Sequence, residues 1–424
     1  MSLKDLKPEI KKALNTMHVR IFIDFSILTL LAAIIFRNWL FTSEWPAGGD
    51  IVGWISRAYL WKNERWLYVW RPWAFGFLEG IHLIDFFLSS IYHICHDPAL
   101  TVKIFMFLSF LLADFSIYAF VYSYSRHYTA SLSASLTYTL NRWFFSQFTE
   151  GHCNIIFSYA LAPLVFFFVD RMLKNRRLKN VLITALMLSV MLTSFHMECL
   201  VIYGFFLIIF IIFYMIFPEK SGTLFRRIKN FSAFLIPAIL TALLLSAFWF
   251  LPISMGIKAY YYSVRFGYCI EDAIMFSYKN LIDAFTLCAI ESGGYKSIID
   301  VYKDLSLPDF PINSFLFLIY GLAILTTLFH RDRYTTFFAF SALLSMFVAK
   351  GPNPPFGYIF TWMWIKVPYL DAFRAANRMS MMTAFSHAFL ISVLTRDLMK
   401  YIREKRHAEK KKIYLEAEIR GENR

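Results

Sequence analysis

The sequence predicts an all-α polytopic membrane protein with about ten transmembrane helices. Of its 424 residues, 58% are hydrophobic and only 17% are charged, and the mean hydropathy is +0.51. A soluble protein carries about a quarter charged residues. Several runs approach the roughly 20 apolar residues that cross a bilayer. The predicted spans are 19–41, 101–125, 128–148, 154–170, 181–196, 198–217, 231–252, 313–329, 335–349 and 380–395.

The distribution of charge predicts that both termini are cytoplasmic. A net charge of +14 is compatible with a nucleic-acid partner when it is considered alone. With the N-terminus inside, however, about 27 of the 43 Lys and Arg residues fall on the cytoplasmic side, against about 12 of the 29 acidic residues. Such a bias is the positive-inside signal of membrane proteins. We therefore expect a prokaryotic plasma-membrane protein that binds no nucleic acid, with basic clusters at 171–179 and 226–229 against anionic headgroups.

The spans divide the chain into a core, outer loops and charged ends. The first outer loop is crowded with tryptophan and tyrosine, which are typical of the headgroup layer, so two helices are expected to lie along the outer surface at about 50–63 and 75–94. The predicted parts are an amphipathic cytoplasmic leader (1–18), a core module (19–252) with the first outer loop (42–100), a second outer loop (253–312), C-terminal helices (313–396) with a third outer loop (350–379), and a tail of mixed charge (397–424), as helix or disorder.

Asp50 is the first candidate site residue, because it follows the first span directly. Two glycines precede it and remove side-chain bulk, so that backbone and substrate can approach closely. A carboxylate at this membrane lip can act as a general base, as a metal ligand or as a solvated loop charge. The flanking glycines and the surface helices favour a function.

Two Glu/His pairs occupy short outer turns, Glu150 with His152 and His196 with Glu198. Side chains two residues apart in an extended turn point the same way, so each pair offers one nitrogen and one oxygen ligand. Together with Asp50 they would suit a divalent ion such as Mg, Mn or Zn. They lack the tight spacing of a zinc signature, and hydrogen-bonded lip residues or acceptor-binding residues are the alternatives.

Arg374 and Arg378 are four residues apart, so on a helix they share a face. Guanidinium groups bind phosphate oxygens in a bidentate fork, which predicts a phosphate site. The alternative is an ion pair between Asp371 and Arg374, with Arg378 anchored at the interface. Further residues of the second outer loop are candidates for the lining of the same cavity, namely Tyr260, Tyr261, Tyr262 and Arg265.

Inside the membrane, Asp114 stands at mid-span, where a carboxylate costs roughly 2.5–3.5 kcal/mol. It is expected to face the bundle interior, towards Asn141 or Arg142, as a structural hydrogen bond or as a proton relay. The five cysteines match no metal motif and are expected to be buried free thiols rather than disulfides. The chain also lacks a phosphate-cradling glycine-rich loop, which excludes a recognisable cytoplasmic nucleotide site.

The layout resembles the GT-C superfamily of integral membrane glycosyltransferases. Gly49-Asp50, Gly151-His152 followed by Ala162-Pro163-Leu164, and Phe373-Arg374 with Arg378 are similar to the YfhO-like and 6-pyruvoyl-tetrahydropterin-synthase-related membrane proteins, over most of residues 15–395. The resemblance implies a GT-C-like fold, a catalytic acid at Asp50 and a sugar donor on polyprenyl (dolichyl or undecaprenyl) phosphate. Larger members carry a soluble C-terminal domain that this chain lacks, which leaves the acceptor open.

We therefore expect a glycosyltransferase that works at the extracytoplasmic face of the cell envelope. Asp50 would act as general base or metal ligand, and Arg374 and Arg378 would hold the donor phosphate. A multispan transporter or lipid flippase is the alternative, with Asp114 as a coupling group. A transporter needs polar residues across the whole membrane, whereas here the polar candidates collect on one side. A non-catalytic membrane scaffold is the third reading.

Overall fold

The computed structural model describes most of the bundle and parts of its outer loops. The leader at residues 1–16 and most of the second outer loop lie outside the described residues. The described residues are 17–43, 49–63, 70–71, 77–78, 83–217, 224–252, 254–255, 270–287, 312–330, 332–367 and 375–419.

Helices make up nearly all of the described structure, which confirms the predicted all-α membrane fold. The helices are α1 Met17–Leu40, α2 Ile51–Ser56, α3 Ala58–Lys62, α4 Leu83–Cys95, α5 Pro98–Ser125, α6 Tyr128–Thr139, α7 Arg142–Glu150, α8 Cys153–Lys174, α9 Leu178–Ser194, α10 Met197–Ile216, α11 Leu224–Leu245, α12 Ile270–Met275, α13 Leu281–Phe285, α14 Ile312–Leu325, α15 Arg333–Ala349, α16 Gly357–Lys366 and α17 Ser380–Ile419, with 3-10 turns at Thr326–Leu328 and Ala376–Met379.

Four of these helices are long and apolar enough to cross a membrane, namely α1, α5, α8 and α10. Five shorter apolar segments, in α4, α9, α11, α14–Leu328 and α15, fall below that length. The count of ten spans therefore stays a prediction. The last predicted span, 380–395, is the first part of α17, and this helix continues without a break to Ile419. The described part of the predicted tail is accordingly helical.

The first outer loop forms short helices on the bundle, as predicted, but with different limits. The surface helix predicted at 50–63 is two short helices, α2 and α3. The second, predicted at 75–94, begins only at Leu83, and Phe77–Leu78 instead pairs antiparallel with Trp70–Arg71. The prediction of helix was wrong at Phe77–Leu78, which form a strand, and residues 75–76 and 79–82 lie outside the described residues.

Side-chain caps fix where several membrane helices begin. Asp97 accepts a hydrogen bond from the Leu100 backbone N–H at 2.9 Å, and Pro98 fills the first position of α5. Asp332 caps α15 in the same way. These caps satisfy backbone donors that a helix leaves without an internal partner. They set the register in which each helix enters the bundle.

The third predicted span, 128–148, is broken into α6 and α7. Asn141 stands at the break and accepts from the Phe144 backbone N–H at 2.9 Å, which starts α7. Its amide group donates to the Tyr138 carbonyl at 2.6 Å and lies 3.1 Å from the Tyr159 hydroxyl. The Tyr138 and Tyr159 rings stack at 4.0 Å. The break is therefore a built feature, and it places polar groups deep in the bundle.

Aromatic side chains of α5, α15 and α17 form the centre of the core. The Phe338 ring stacks on Phe389 at 4.2 Å and meets Phe385 edge-on at 5.0 Å. Phe120 of α5 closes the cluster against Phe385 at 5.4 Å. Such geometries add to the stabilisation by burial.

Asp114 of α5 lies beside this core and accepts from the Thr139 hydroxyl at 2.9 Å. The predicted structural hydrogen bond is thus present, but its described donor is Thr139 rather than Asn141 or Arg142. Thr139 is the last residue of α6 and faces α5. Its hydroxyl therefore reaches the Asp114 carboxylate from the N-terminal side of the break at Asn141.

Candidate functional site

Two glycines join the first outer loop to the turn that precedes α8. Gly49 has φ +38° and Gly151 has φ +72°, a region that favours glycine. A Cβ on Gly49 would overlap the Glu150 carbonyl oxygen, and one on Gly151 would overlap Ile51. The Asp50 backbone N–H donates to the Glu150 carbonyl at 2.8 Å. The close approach predicted before Asp50 is thus present at Gly49, between two segments of the protein backbone, and Gly48 lies outside the described residues.

The Asp50 carboxylate is presented at this contact. Asp50 stands directly before α2, and its side chain makes no capping bond and is 68% exposed. Its backbone is held by Glu150, so the side chain is free to meet a ligand while the main chain stays fixed. This is how a rigid scaffold positions a loop residue for function.

His152 lies between Asp50 and two other acceptors. Its Nδ1 is 2.9 Å from Gln147 Oε1 and 3.1 Å from Glu150 Oε2. Because both neighbours accept, Nδ1 carries the proton. The other ring nitrogen, Nε2, then faces Asp50 Oδ2 at 3.7 Å. His152 thus offers a lone pair towards Asp50 when neutral and a positive charge when protonated.

Arg378 centres a second polar group with the other predicted pair. Its Nη1 contacts Glu198 Oε2 and lies 3.5 Å from His196 Nδ1. The side chains of Arg378 and Glu198 are 12% and 15% exposed. A largely buried pair of this kind is screened by salt much less than a surface salt bridge. The structure therefore brings three of the predicted residues together here.

Helix α8 connects the two groups. His152 immediately precedes α8, and the Ser158 hydroxyl accepts from the His196 backbone N–H at 3.0 Å. Six residues of helix separate these positions, a rise of about 9 Å. The group around Asp50 and the group around Arg378 therefore lie near the same end of α8.

A buried network sets the position of Arg378 at the start of α17. Lys350 is fully buried and its ammonium donates to the Asn353 carbonyl at 2.7 Å. The Asn353 amide donates to the Tyr278 carbonyl at 2.9 Å, and the Tyr278 hydroxyl accepts from Ser380 at 2.9 Å. Burial lowers the pKa of Lys350 below its ordinary 10.5. The sequence pattern did not reveal this network, because its members come from three separate outer segments.

Two further residues of the site were not predicted from the sequence. Gln147 orients His152, and its amide nitrogen is 3.1 Å from the Ser146 hydroxyl, which turns the oxygen towards the ring. The Arg57 guanidinium lies over the Trp54 ring, 4.4 Å from its centroid. Arg57 and Asp50 both lie close enough to Cys153 for their charges to act on its thiol. Neither Gln147 nor Arg57 follows a spacing rule, and only the fold brings them to the lip.

The described residues do not favour the predicted divalent ion. Glu150 is on the Nδ1 side of His152 and Asp50 is on the Nε2 side, so the two carboxylates cannot share one ion with that ring. The cation of Arg378 already contacts Glu198 and His196. Within the described part of the chain, no group of three or more His, Cys, Asp or Glu residues has a metal-binding arrangement.

Five of the predicted site residues lie outside the described residues: Arg374, Tyr260, Tyr261, Tyr262 and Arg265. Ala375 has φ −98° and ψ 76°, which is not helical, and the 3-10 turn that carries Arg378 begins at Ala376. Arg378 therefore lies in a 3-10 turn, and the face that it was expected to share with Arg374 stays a prediction.

Of the cysteines, Cys95, Cys153 and Cys199 are described, and all three are free thiols. Cys153 and Cys199 are fully buried, as predicted, and Cys95 is half-buried. Cys269 and Cys288 lie outside the described residues.

Part of the chain matches a known family. Residues 84–267 match the model of the 6-pyruvoyl-tetrahydropterin synthase related domain, a membrane protein. The match confirms the predicted resemblance to that group and, with the apolar helices, shows an integral membrane protein. It includes Glu150, His152, His196 and Glu198 but neither Asp50 nor Arg378. No curated protein matches the chain.

Proposed function

We propose that the chain is a glycosyltransferase that moves a sugar from a polyprenyl-phosphate donor to an acceptor at the extracytoplasmic face. The observation that supports it most is the exposed Asp50 carboxylate, held on a fixed backbone beside His152 at the outer end of the bundle. A lipid-linked donor partitions into the bilayer, so such an enzyme needs its catalytic acid at the membrane lip rather than in a soluble domain.

In this proposal Asp50 is the general base. Its carboxylate takes the proton of an acceptor hydroxyl while that oxygen bonds to the sugar's anomeric carbon. The bond from that carbon to the donor phosphate oxygen breaks, and polyprenyl phosphate leaves with the electron pair. General-base assistance is typically worth about 10²–10⁴ in rate. Asp50 need not become a covalent nucleophile in this sequence of steps, since the leaving group is already a phosphate.

The leaving phosphate is assigned to Arg378, together with the predicted Arg374. Both described contacts of Arg378 use Nη1, and a guanidinium has five N–H donors. A phosphate can therefore bind the same side chain without breaking its pair with Glu198. Positive charge at the departing oxygen acts where negative charge develops in the transition state.

The test is the variant Asp50→Asn in membranes that contain the full chain. The membranes are given a panel of undecaprenyl- and dolichyl-phosphate hexoses, and released polyprenyl phosphate is measured. We expect at least a roughly 100-fold loss of release, because the amide cannot accept the proton. Asp283→Asn, a change of the same chemistry in another outer segment, is the matched control and should leave release unchanged. Normal release by Asp50→Asn, with normal expression, removes the catalytic role.

A transporter or flippase is the second candidate, and the break between α6 and α7 favours it. Broken helices near the middle of the membrane line substrate sites in many transporters. The polar groups at Asp114, Asn141 and Tyr159 also lie deeper than the outer cluster. A transporter would move a lipid-linked sugar across proteoliposomes without releasing polyprenyl phosphate, so one assay of both products separates the two functions.

A further inference from the structure

A cavity of about 500 Å³ opens at the cytoplasmic ends of α1, α5 and α8, at the opposite end of the bundle from Asp50. Its walls are mainly apolar and aromatic, with Ile21 and Phe25 from α1, Tyr118 from α5 and Phe167 from α8. The volume lies within the range of small-molecule sites. The walls are parts of membrane-facing helices, so the cavity lies beside the inner leaflet.

Cationic side chains form the cytoplasmic rim of this cavity. Arg126 ends α5 in a left-handed conformation, and Arg171 and Lys174 come from the last turn of α8. Arg126 and Arg171 are exposed. One acid, Asp170, also lines the cavity, and it pairs with Lys174 at 2.8 Å and accepts from the Tyr334 hydroxyl at 2.5 Å. With three cations and one carboxylate, the rim therefore has a net charge of +2.

The surroundings of the cavity reinforce this positive potential. His127, next to Arg126, has its pKa lowered from 6.5 by burial first and then by the charges of Arg403, Arg396 and Arg20. These arginines come from α17 and α1, so cations surround the inner end of α5 on two sides. Two carboxylates offset part of this charge, since Asp24 accepts from the Tyr118 hydroxyl at 2.6 Å and Asp397 lies 3.2 Å from Arg396 Nε. An anion at the rim would therefore be attracted mainly by Arg126 and Arg171, which line the cavity themselves.

We propose that this cavity binds an anionic glycerophospholipid of the inner leaflet. The phosphodiester lies between Arg126 and Arg171, and an acyl chain lies against the apolar wall formed by Ile21, Phe25 and Phe167. Basic pockets between membrane helices on the cytoplasmic side suit lipid headgroups. A soluble phosphate would use the rim alone and leave the apolar wall without a ligand. The site is independent of the proposed transferase activity, because it shares no residue with the outer cluster.

The test uses the purified full chain in neutral detergent and native mass spectrometry. Phosphatidylglycerol is titrated against phosphatidylcholine of the same chains. We expect selective retention of phosphatidylglycerol by the unchanged protein. The double variant Arg126→Gln/Arg171→Gln removes two charges near the ligand, worth about thirtyfold in affinity. The double variant Arg176→Gln/Arg177→Gln is the matched control, since it removes two exposed charges from the next loop that do not line the cavity.

A second variant separates the cavity from surface charge. Ala119 lines the cavity, and Ala119→Trp fills it while every charge is kept. We expect this variant to lose at least tenfold in retention of phosphatidylglycerol, with its elution on size exclusion unchanged. Equal loss in the two double variants, normal binding by Ala119→Trp, or displacement of the lipid by equimolar glycerol 1-phosphate would each overturn the proposal.

Discussion

Gly49 carries a prediction about the framework of the outer site. Gly49→Ala forces a side chain into the Glu150 carbonyl and places a non-glycine residue at φ +38°. The backbone strain alone costs about 1–2 kcal/mol, and the overlap adds to it. We expect a lower thermal midpoint in detergent and loss of the Asp50-dependent activity.

Gly53→Ala is the control for this change. Gly53 lies in α2, and a Cβ there meets nothing within 4 Å. Alanine in a helix is favoured over glycine by roughly 0.5–1 kcal/mol, so this variant should be as stable as the unchanged protein or slightly more stable. If both variants melt alike, the contact between Gly49 and Glu150 does not support the loop.

His127 carries the pH prediction. It precedes α6, and its Nδ1 accepts from the Ala130 backbone N–H at 3.3 Å, which requires the neutral ring. Burial, then nearby arginines, lowers its pKa below 6.5. Because the folded pKa is below the unfolded one, this stabilisation is complete above about pH 6.5 and is lost as the pH falls through the folded pKa. His127→Asn keeps a capping oxygen and should flatten the fall of the thermal midpoint below pH 6.5.

The corresponding control is His407→Asn, since His407 is exposed on the C-terminal part of α17. It should keep the full pH dependence of the unchanged protein. A fall in stability that is the same in all three proteins would assign the effect to other groups.

The candidate site could be predicted from the sequence in part. Asp50, Glu150 and His152 were expected to converge because each follows or precedes a span at the same face, and they do. The pairing of Arg378 with Glu198 was not expected, because 180 residues separate them and each alone looked like a ligand for something else. Spacing rules identify neighbours within one element, whereas contacts between distant elements depend on the packing of the whole bundle.

At the scale of elements, the break between α6 and α7 is the feature with the most direct test. Asn141→Ala removes the cap of α7 and the bonds to Tyr138 and Tyr159. Loss of a cap costs about 1 kcal/mol, and each buried group left without a partner adds about 1–3 kcal/mol. We expect a clearly lower thermal midpoint in detergent.

Asn175→Ala is the comparison, because Asn175 is an exposed residue after α8 whose described contacts are made by its backbone. This variant should be nearly neutral. If Asn141→Ala is equally neutral, the break is not maintained by the Asn141 side chain.

Most of the predicted spans coincide with helices to within a few residues at each end, because apolar runs of fixed length identify them. The break was missed because Leu140-Asn141-Arg142 contains neither proline nor glycine, the residues that usually reveal an interruption. The β pair at Trp70–Arg71 and Phe77–Leu78 was missed for another reason. Its two strands are only two residues long, below the length at which alternation can be read.

For the whole molecule, the ten-span topology makes a prediction that labelling can check. In a variant with all five native cysteines replaced by alanine, single cysteines are placed at four exposed positions, Ser43, Arg176, Tyr358 and Lys405. A membrane-impermeant maleimide should label positions 43 and 358 in intact cells. Positions 176 and 405 should react only after the cells are permeabilised. Labelling of positions 43 and 405 from the same outer side would rule out the predicted arrangement of ten spans with both termini inside.

The broken third span has a consequence for how the protein is made. Helix α6 carries a serine or threonine at every second position from Thr129 to Thr139, and α7 contains Arg142, Gln147 and Glu150, so neither half is apolar enough to leave the translocon unaided. Helix α17 packs on α6, where the Ser133 hydroxyl bonds Thr395 at 3.1 Å. That partner is synthesised more than 200 residues later. The α6–α7 segment must therefore stay packed beside α5 until α17 has been synthesised. The helices then assemble in an order that differs from the order of their translation.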